Sequence, residues 1–121
     1  MHTYTHMDAR RGNGILSGMD LTELPEHLSE EITWLICCHN RLIKLPDNLP
    51  KSLLRLNCVH NRLTRLPDTL PNTLTHLYCD NNQLTELPDN LPSTLIVLSC
   101  NYNQLTKLPE KLPVTLAQLY C

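Results

Sequence analysis

Three observations predict a solenoid built on one curved parallel β-sheet. Asn40, Asn61, Asn82 and Asn103 stand 21 residues apart. Leucine recurs at the same interval in several further columns, as at Leu53, Leu74 and Leu95. All nine prolines fall in two columns of that frame: Pro25, Pro46, Pro67, Pro88 and Pro109, then Pro50, Pro71, Pro92 and Pro113. A short fixed period means supersecondary units that bury their apolar faces only by stacking.

Units begin near residues 19, 40, 61, 82 and 103, and the last is incomplete. The unit from Asn61 reads NRLTRLPDTLPNTLTHLYCDN. The unit from Met19 has Met in place of Asn and Ser29 in place of Pro. The pattern L-x-x-L-x-(L/C)-x-x-N-x-L matches at Leu53, Leu56, Cys58, Asn61 and Leu63, and again one and two periods later. That is the signature of a leucine-rich repeat. The expected organisation is a flexible N-terminal tail over residues 1–18, which hold all three glycines, and a leucine-rich-repeat domain of five units over 19–121.

Composition narrows the function classes. A chain of 121 residues is enough for one domain. A net charge of −2 without a block of like charges gives no footprint for nucleic acid. No apolar run approaches a membrane span or a secretory signal. Phenylalanine is absent and leucine supplies the core instead.

The stretch 53–58 alternates near its end, with Leu56 and Cys58 on one side and Arg55 and Asn57 on the other. Period two indicates a strand. Equivalent strands fall near 33–38, 75–80, 96–101 and 117–121. Each unit returns the chain to the same starting point, so these strands pair in parallel. The doubled prolines forbid helices on the return path, and extended, polyproline-like segments are expected there. Leu45, Leu49, Leu53, Leu56 and Leu63, with their counterparts, point inward, each worth about 1.5–3 kcal/mol before entropy is subtracted.

The asparagine column has another task. The chain leaves the sheet there, and its backbone groups lose their ladder partners. A buried amide both donates and accepts, so Asn40, Asn61, Asn82 and Asn103 are expected to form a stacked structural ladder. Cys37, Cys58, Cys79, Cys100 and Cys121 also recur at 21 residues, in the second inward position of each strand. Cysteine behaves as a small, often buried hydrophobe, and this column reads as a reduced core ladder. Its spacing lacks the paired cysteines of a structural zinc site. Reduced buried thiols suit a cytosolic setting. Alternation points Cys38 outward, which makes it and Cys121 the thiols expected to meet a labelling reagent.

The outward strand positions do not repeat. They form three columns: Trp34, Arg55, His76, Val97 and Gln118; Ile36, Asn57, Tyr78, Ser99 and Tyr120; and Cys38, Val59, Asp80 and Asn101. A constant scaffold with a varied face is what recognition of a particular protein partner requires. The binding candidates are Trp34, Ile36, Arg55, Asn57, His76, Tyr78, Asp80, Ser99 and Tyr120, because Trp, Tyr and Arg dominate interface hot spots. Two competing explanations stand beside this one. Strand faces favour aromatics in any case, and Trp34 could pack beneath the N-terminal segment as a cap. His39 and His60 share a turn column, yet two ligands are too few for a metal site. His2 and His6 fall in the expected tail. No cofactor, metal or catalytic group is implied. The last strand is expected to expose an uncapped edge, through which the chain could self-associate.

The run N-[RQ]-L-T-x-L-P at 61–67, 82–88 and 103–109, with its doubled Leu-Pro, resembles the short repeats of bacterial type III secreted effectors, the YopM and IpaH group. The resemblance covers residues 19–121. It implies a bacterial cytoplasmic origin, delivery into a host cell and binding of a host protein through the repeats. Some members add a C-terminal ubiquitin-ligase domain with a catalytic cysteine, and no residue here matches that domain. The alternative it implies is the substrate-recognition part of such a ligase, lacking the catalytic domain. The short tail also departs from the helical region that members carry before their repeats.

Overall fold

The structure is a computed structural model, and it describes residues 7–8 and 13–121. The calls on the rest of the tail, including His2 and His6, lie outside the described residues. Seven strands form one sheet in sequence order: β1 (Met7–Asp8), β2 (Asn13–Ile15), β3 (Trp34–Ile36), β4 (Arg55–Asn57), β5 (His76–Tyr78), β6 (Val97–Ser99) and β7 (Gln118–Tyr120). β1 runs antiparallel to β2, and every later pair is parallel. The described residues contain no helix.

The boundary expected at residue 19 moves toward the N-terminus. Asn13, Gly14 and Ile15 pair with Trp34, Leu35 and Ile36, and Leu16 is fully buried. Residues 13–18 therefore supply the sheet strand that precedes the unit at Met19, rather than a tail. The strands are also shorter than the alternation implied, three residues from β2 onward.

The central residue of each later strand points inward. Leu35, Leu56, Leu77 and Leu98 are fully buried, and Leu119 is partly buried at the end of the stack. They join Leu42, Leu63, Leu84, Leu53, Leu74 and Leu95 in one continuous core. Cys37, Cys58, Cys79 and Cys100 extend it. The thiols of Cys37, Cys58 and Cys79 donate to the carbonyls of Asn57, Tyr78 and Ser99 in the next unit. A small apolar group that also offers a weak donor fits this position where valine would leave that carbonyl with one partner fewer.

The return path is organised by turns. The amide of Leu53 donates to the Pro50 carbonyl, and Leu74, Leu95 and Leu116 do the same to Pro71, Pro92 and Pro113. Proline's fixed φ and missing N–H are harmless at a position that only accepts. In the first unit Ser29 takes the same place: its carbonyl accepts from Ile32, and its hydroxyl accepts from the amide of Glu31. Ser52, Thr73, Thr94 and Thr115 form a further column. The Thr73 hydroxyl lies 2.7 Å from the Leu53 carbonyl and 2.9 Å from that of Lys51, and Thr94 and Thr115 repeat those distances one and two units on. Its single proton is shared between two carbonyls of the preceding unit, stitching neighbouring turns where no sheet exists.

The turn out of the sheet combines two features. Gly18, His39, His60, Asn81 and Tyr102 adopt positive φ, between 54° and 66°. The asparagine that follows each of the last four fills the space opened beneath. Asn61 Oδ1 accepts from the Leu42 amide, and its Nδ2 reaches the carbonyls of Cys37, Cys58 and Val59. Asn82 and Asn103 repeat the set one and two units later. Asn40 does the same at the start, accepting from Met19 and Leu21. Each side-chain amide thus ties the turn at which it stands to the turn before it in the stack.

Candidate binding face

The strand face is laid out by the register. Trp34, Arg55, His76, Val97 and Gln118 are successive ladder partners, and so are Ile36, Asn57, Tyr78, Ser99 and Tyr120. The residues of each expected column stand side by side across the sheet. Two positions missing from those columns extend them: Asn13 precedes Trp34 and Ile15 precedes Ile36. Ile15 is 44% exposed. The signal for it was Gly18, which stands 21 residues before His39 and marks an earlier turn of the same kind.

Several side chains on this face hold one another. The Arg55 guanidinium lies over the Trp34 ring, 5.2 Å from its centroid. The His76 and Tyr78 rings are 6.2 Å apart and tilted by 35°. Thr75 Oγ1 and His76 Nδ1 are 2.8 Å apart. Asn57 Oδ1 accepts from the Val59 amide. The Asp80 carboxylate accepts from the Ser99 hydroxyl and the Asn101 amide. Loss of hydration, followed by the Arg55 charge, pulls His76 below its ordinary pKa.

The candidates differ in access. Trp34, Arg55 and Tyr120 are exposed, while Ile36, Asn57, His76, Tyr78 and Asp80 are half-buried. Ser99 is buried, which removes it from the surface a partner would touch. Its hydroxyl orients Asp80 instead. Val97 is buried as well, a short side chain between His76 and Gln118 in its row.

Cys38 is a correction. It is buried rather than outward, and its thiol donates to the Asn57 carbonyl. The sheet ladder ends at Ile36, and the chain is already turning toward His39, so strand alternation no longer governs position 38. All six cysteines are free. Burial pushes Cys37 and Cys100 up to about 12, with neighbouring thiols adding to it, and raises Cys38, Cys58 and Cys79 as well. Such thiols are poor nucleophiles. Maleimide labelling of the native chain should therefore modify only Cys121 rapidly, with the other five reacting after unfolding. Rapid native labelling at Cys38 would contradict its burial.

Elsewhere, the exposed rings of His39 and His60 stack at 4.4 Å with 12° between planes. On the convex side, a groove of about 400 Å³ runs between residues 86–90 and 107–111. A similar groove of about 370 Å³ lies two units earlier, between 43–47 and 64–67. A depression that recurs with the repeat belongs to the scaffold.

The sheet, the asparagine ladder and the repeat length define a leucine-rich-repeat protein. A Leucine Rich Repeat family profile matches residues 73–93. A solved Shigella effector leucine-rich-repeat domain aligns with a TM-score of 0.83 and 36% identity, over 89% of this chain and 47% of that one. YopM from Yersinia enterocolitica aligns at 0.79 and 33%, over 91% of this chain and 29% of its own. YopM from Yersinia pestis, described as a leucine-rich effector protein, aligns at 0.72 and 41%, over 83% and 28%. Comparison with curated proteins gives no match. The chain is a leucine-rich-repeat solenoid, similar to the leucine-rich-repeat regions of these bacterial effectors. It spans less than half the length of each solved relative named here.

Proposed function

We propose that the chain is a protein-interaction module that binds a host protein through its concave strand face after delivery from a bacterium. One observation carries this reading. The inward leucines, the asparagines and the Ser/Thr column repeat from unit to unit, while the strand face presents Trp34, Arg55, His76 and Tyr78 in adjacent, different positions. The effector relatives support delivery into a host cell. The buried, weakly acidic thiols give no support to a catalytic role. The expected test result is loss of partner capture from host-cell lysate by the combined Trp34→Ala, Arg55→Ala and Tyr78→Ala variant, with its circular dichroism and unfolding midpoint close to the parent's. Retained capture would place the interface on the convex side or at an end of the stack.

The alternative is the substrate-recognition part of a leucine-rich-repeat ubiquitin ligase. The Shigella relative, described as one domain of an effector, favours it. A downstream coding sequence for a cysteine-containing helical domain would decide for it.

A further inference from the structure

We propose that the strand face takes a protein segment presenting a carboxylate beside an apolar side chain, with Arg55 receiving the carboxylate and Ile15, Trp34 and Ile36 forming the apolar floor; this rests on the concave-face reading. Arg55 is exposed, and its guanidinium is already positioned over Trp34. Among the described residues, the arginines in ion pairs are Arg41, with Asp20, and Arg65, with Asp68; no carboxylate pairs with Arg55. Among the described side chains of the strand columns the carboxylate is Asp80, and it is occupied by Ser99 and Asn101. Among the described residues of the strand columns, Arg55 is the cation without a carboxylate partner.

Its surroundings fit a carboxylate. Asn57, two positions along β4, and Tyr78, its partner on β5, offer uncharged donors on the same face, and His76 is the ladder partner of Arg55. The depressed basicity of His76 leaves Arg55 as the permanent cation of these strand columns at neutral pH. A nucleic acid calls for several converging cations, whereas one guanidinium suffices to bind one carboxylate fork to fork. On the other side of Arg55, Trp34 is 37% exposed and Ile15 44%. Adjacent strands lie about 4.8 Å apart, and alternate residues of an extended segment about 6.5–7 Å. An apolar residue over β2 and β3 and an acidic one over β4 and β5 are within reach of one short segment.

A random dodecapeptide library displayed on phage and selected on the full chain tests this. The expected result is enrichment of Asp or Glu close to Leu, Ile, Phe or Trp. Selection on the Arg55→Glu variant should replace the acidic residue with Lys or Arg. A synthetic acidic peptide from the first selection should bind Arg55→Glu about tenfold or more weakly, from attraction lost and repulsion gained. It should bind Arg55→Lys with intermediate affinity. A selection that enriches no acidic motif, whether other peptides or none emerge, overturns the assignment. So does an acidic peptide that binds Arg55→Glu unchanged. Peptides that need Trp34 and Tyr78 yet carry no acidic residue overturn the assignment alone. Peptides indifferent to Trp34→Ala and Tyr78→Ala overturn the concave-face reading itself.

Discussion

Replacing Asn61 with alanine should lower the free energy of unfolding by about 3 kcal/mol, the top of the range for one buried polar group left without its partner. The reason is the number of groups served by one amide. The Leu42 amide loses its acceptor, and the carbonyls of Cys37, Cys58 and Val59 lose a shared donor. Asn61 is buried, so water cannot replace the amide without opening the turn. Asn103 makes the matching bonds but is half-buried, and Asn103→Ala should cost about 1 kcal/mol. Urea titrations followed by circular dichroism measure both. An Asn61→Ala value near zero would mean that the ladder is a passive consequence of the fold.

Leu56→Ala should be costlier still, about 4 kcal/mol, from lost burial and the cavity left behind. Leu56 is fully buried between Leu35 and Leu77, its ladder partners on either side. Leu119→Ala deletes the same atoms at a position that is only partly buried. With one neighbouring strand rather than two, it should cost about 1–2 kcal/mol. In a stack held by nearest-neighbour interfaces, a central defect weakens two junctions and an end defect one. Equal costs for the two variants would show that the units do not couple in this way.

The sequence made the scaffold legible because each scaffold residue repeats. Leu56, Cys58 and Asn61 could be assigned inward by comparison with their counterparts, without knowledge of any single contact. Strand β2 escaped because Gly14 stands where the later strands carry leucine, so the leucine pattern fails there while Leu16 and Gly18 keep the frame. The Ser/Thr column escaped for a different reason. Ser52 and Thr73 look like ordinary turn residues, and their bonds to carbonyls of the preceding unit appear only once the units are stacked. On the strand face, position gave orientation but not access. Ser99 and Trp34 both point outward, yet a short hydroxyl beside Asp80 is covered and a long indole at the second parallel strand is not. Accessibility depends on neighbours across the sheet, and those neighbours are the non-repeating residues.

The side-chain hydrogen bonds that link one unit to the next join residues 19 to 24 positions apart, as at Leu42 with Asn61 and at Asn61 with Cys37. Counted as turns of the stack, each of these bonds thus joins one turn to an adjacent one. Length then becomes a heritable variable that leaves the chemistry of each junction unchanged. A gene segment of whole repeats can be duplicated or lost by unequal recombination, and every junction in the product closes as before. A change of one codon more or less would misalign the amides and hydroxyls with their carbonyls. The strand face can grow, shrink or be reshuffled strand by strand on the same scaffold.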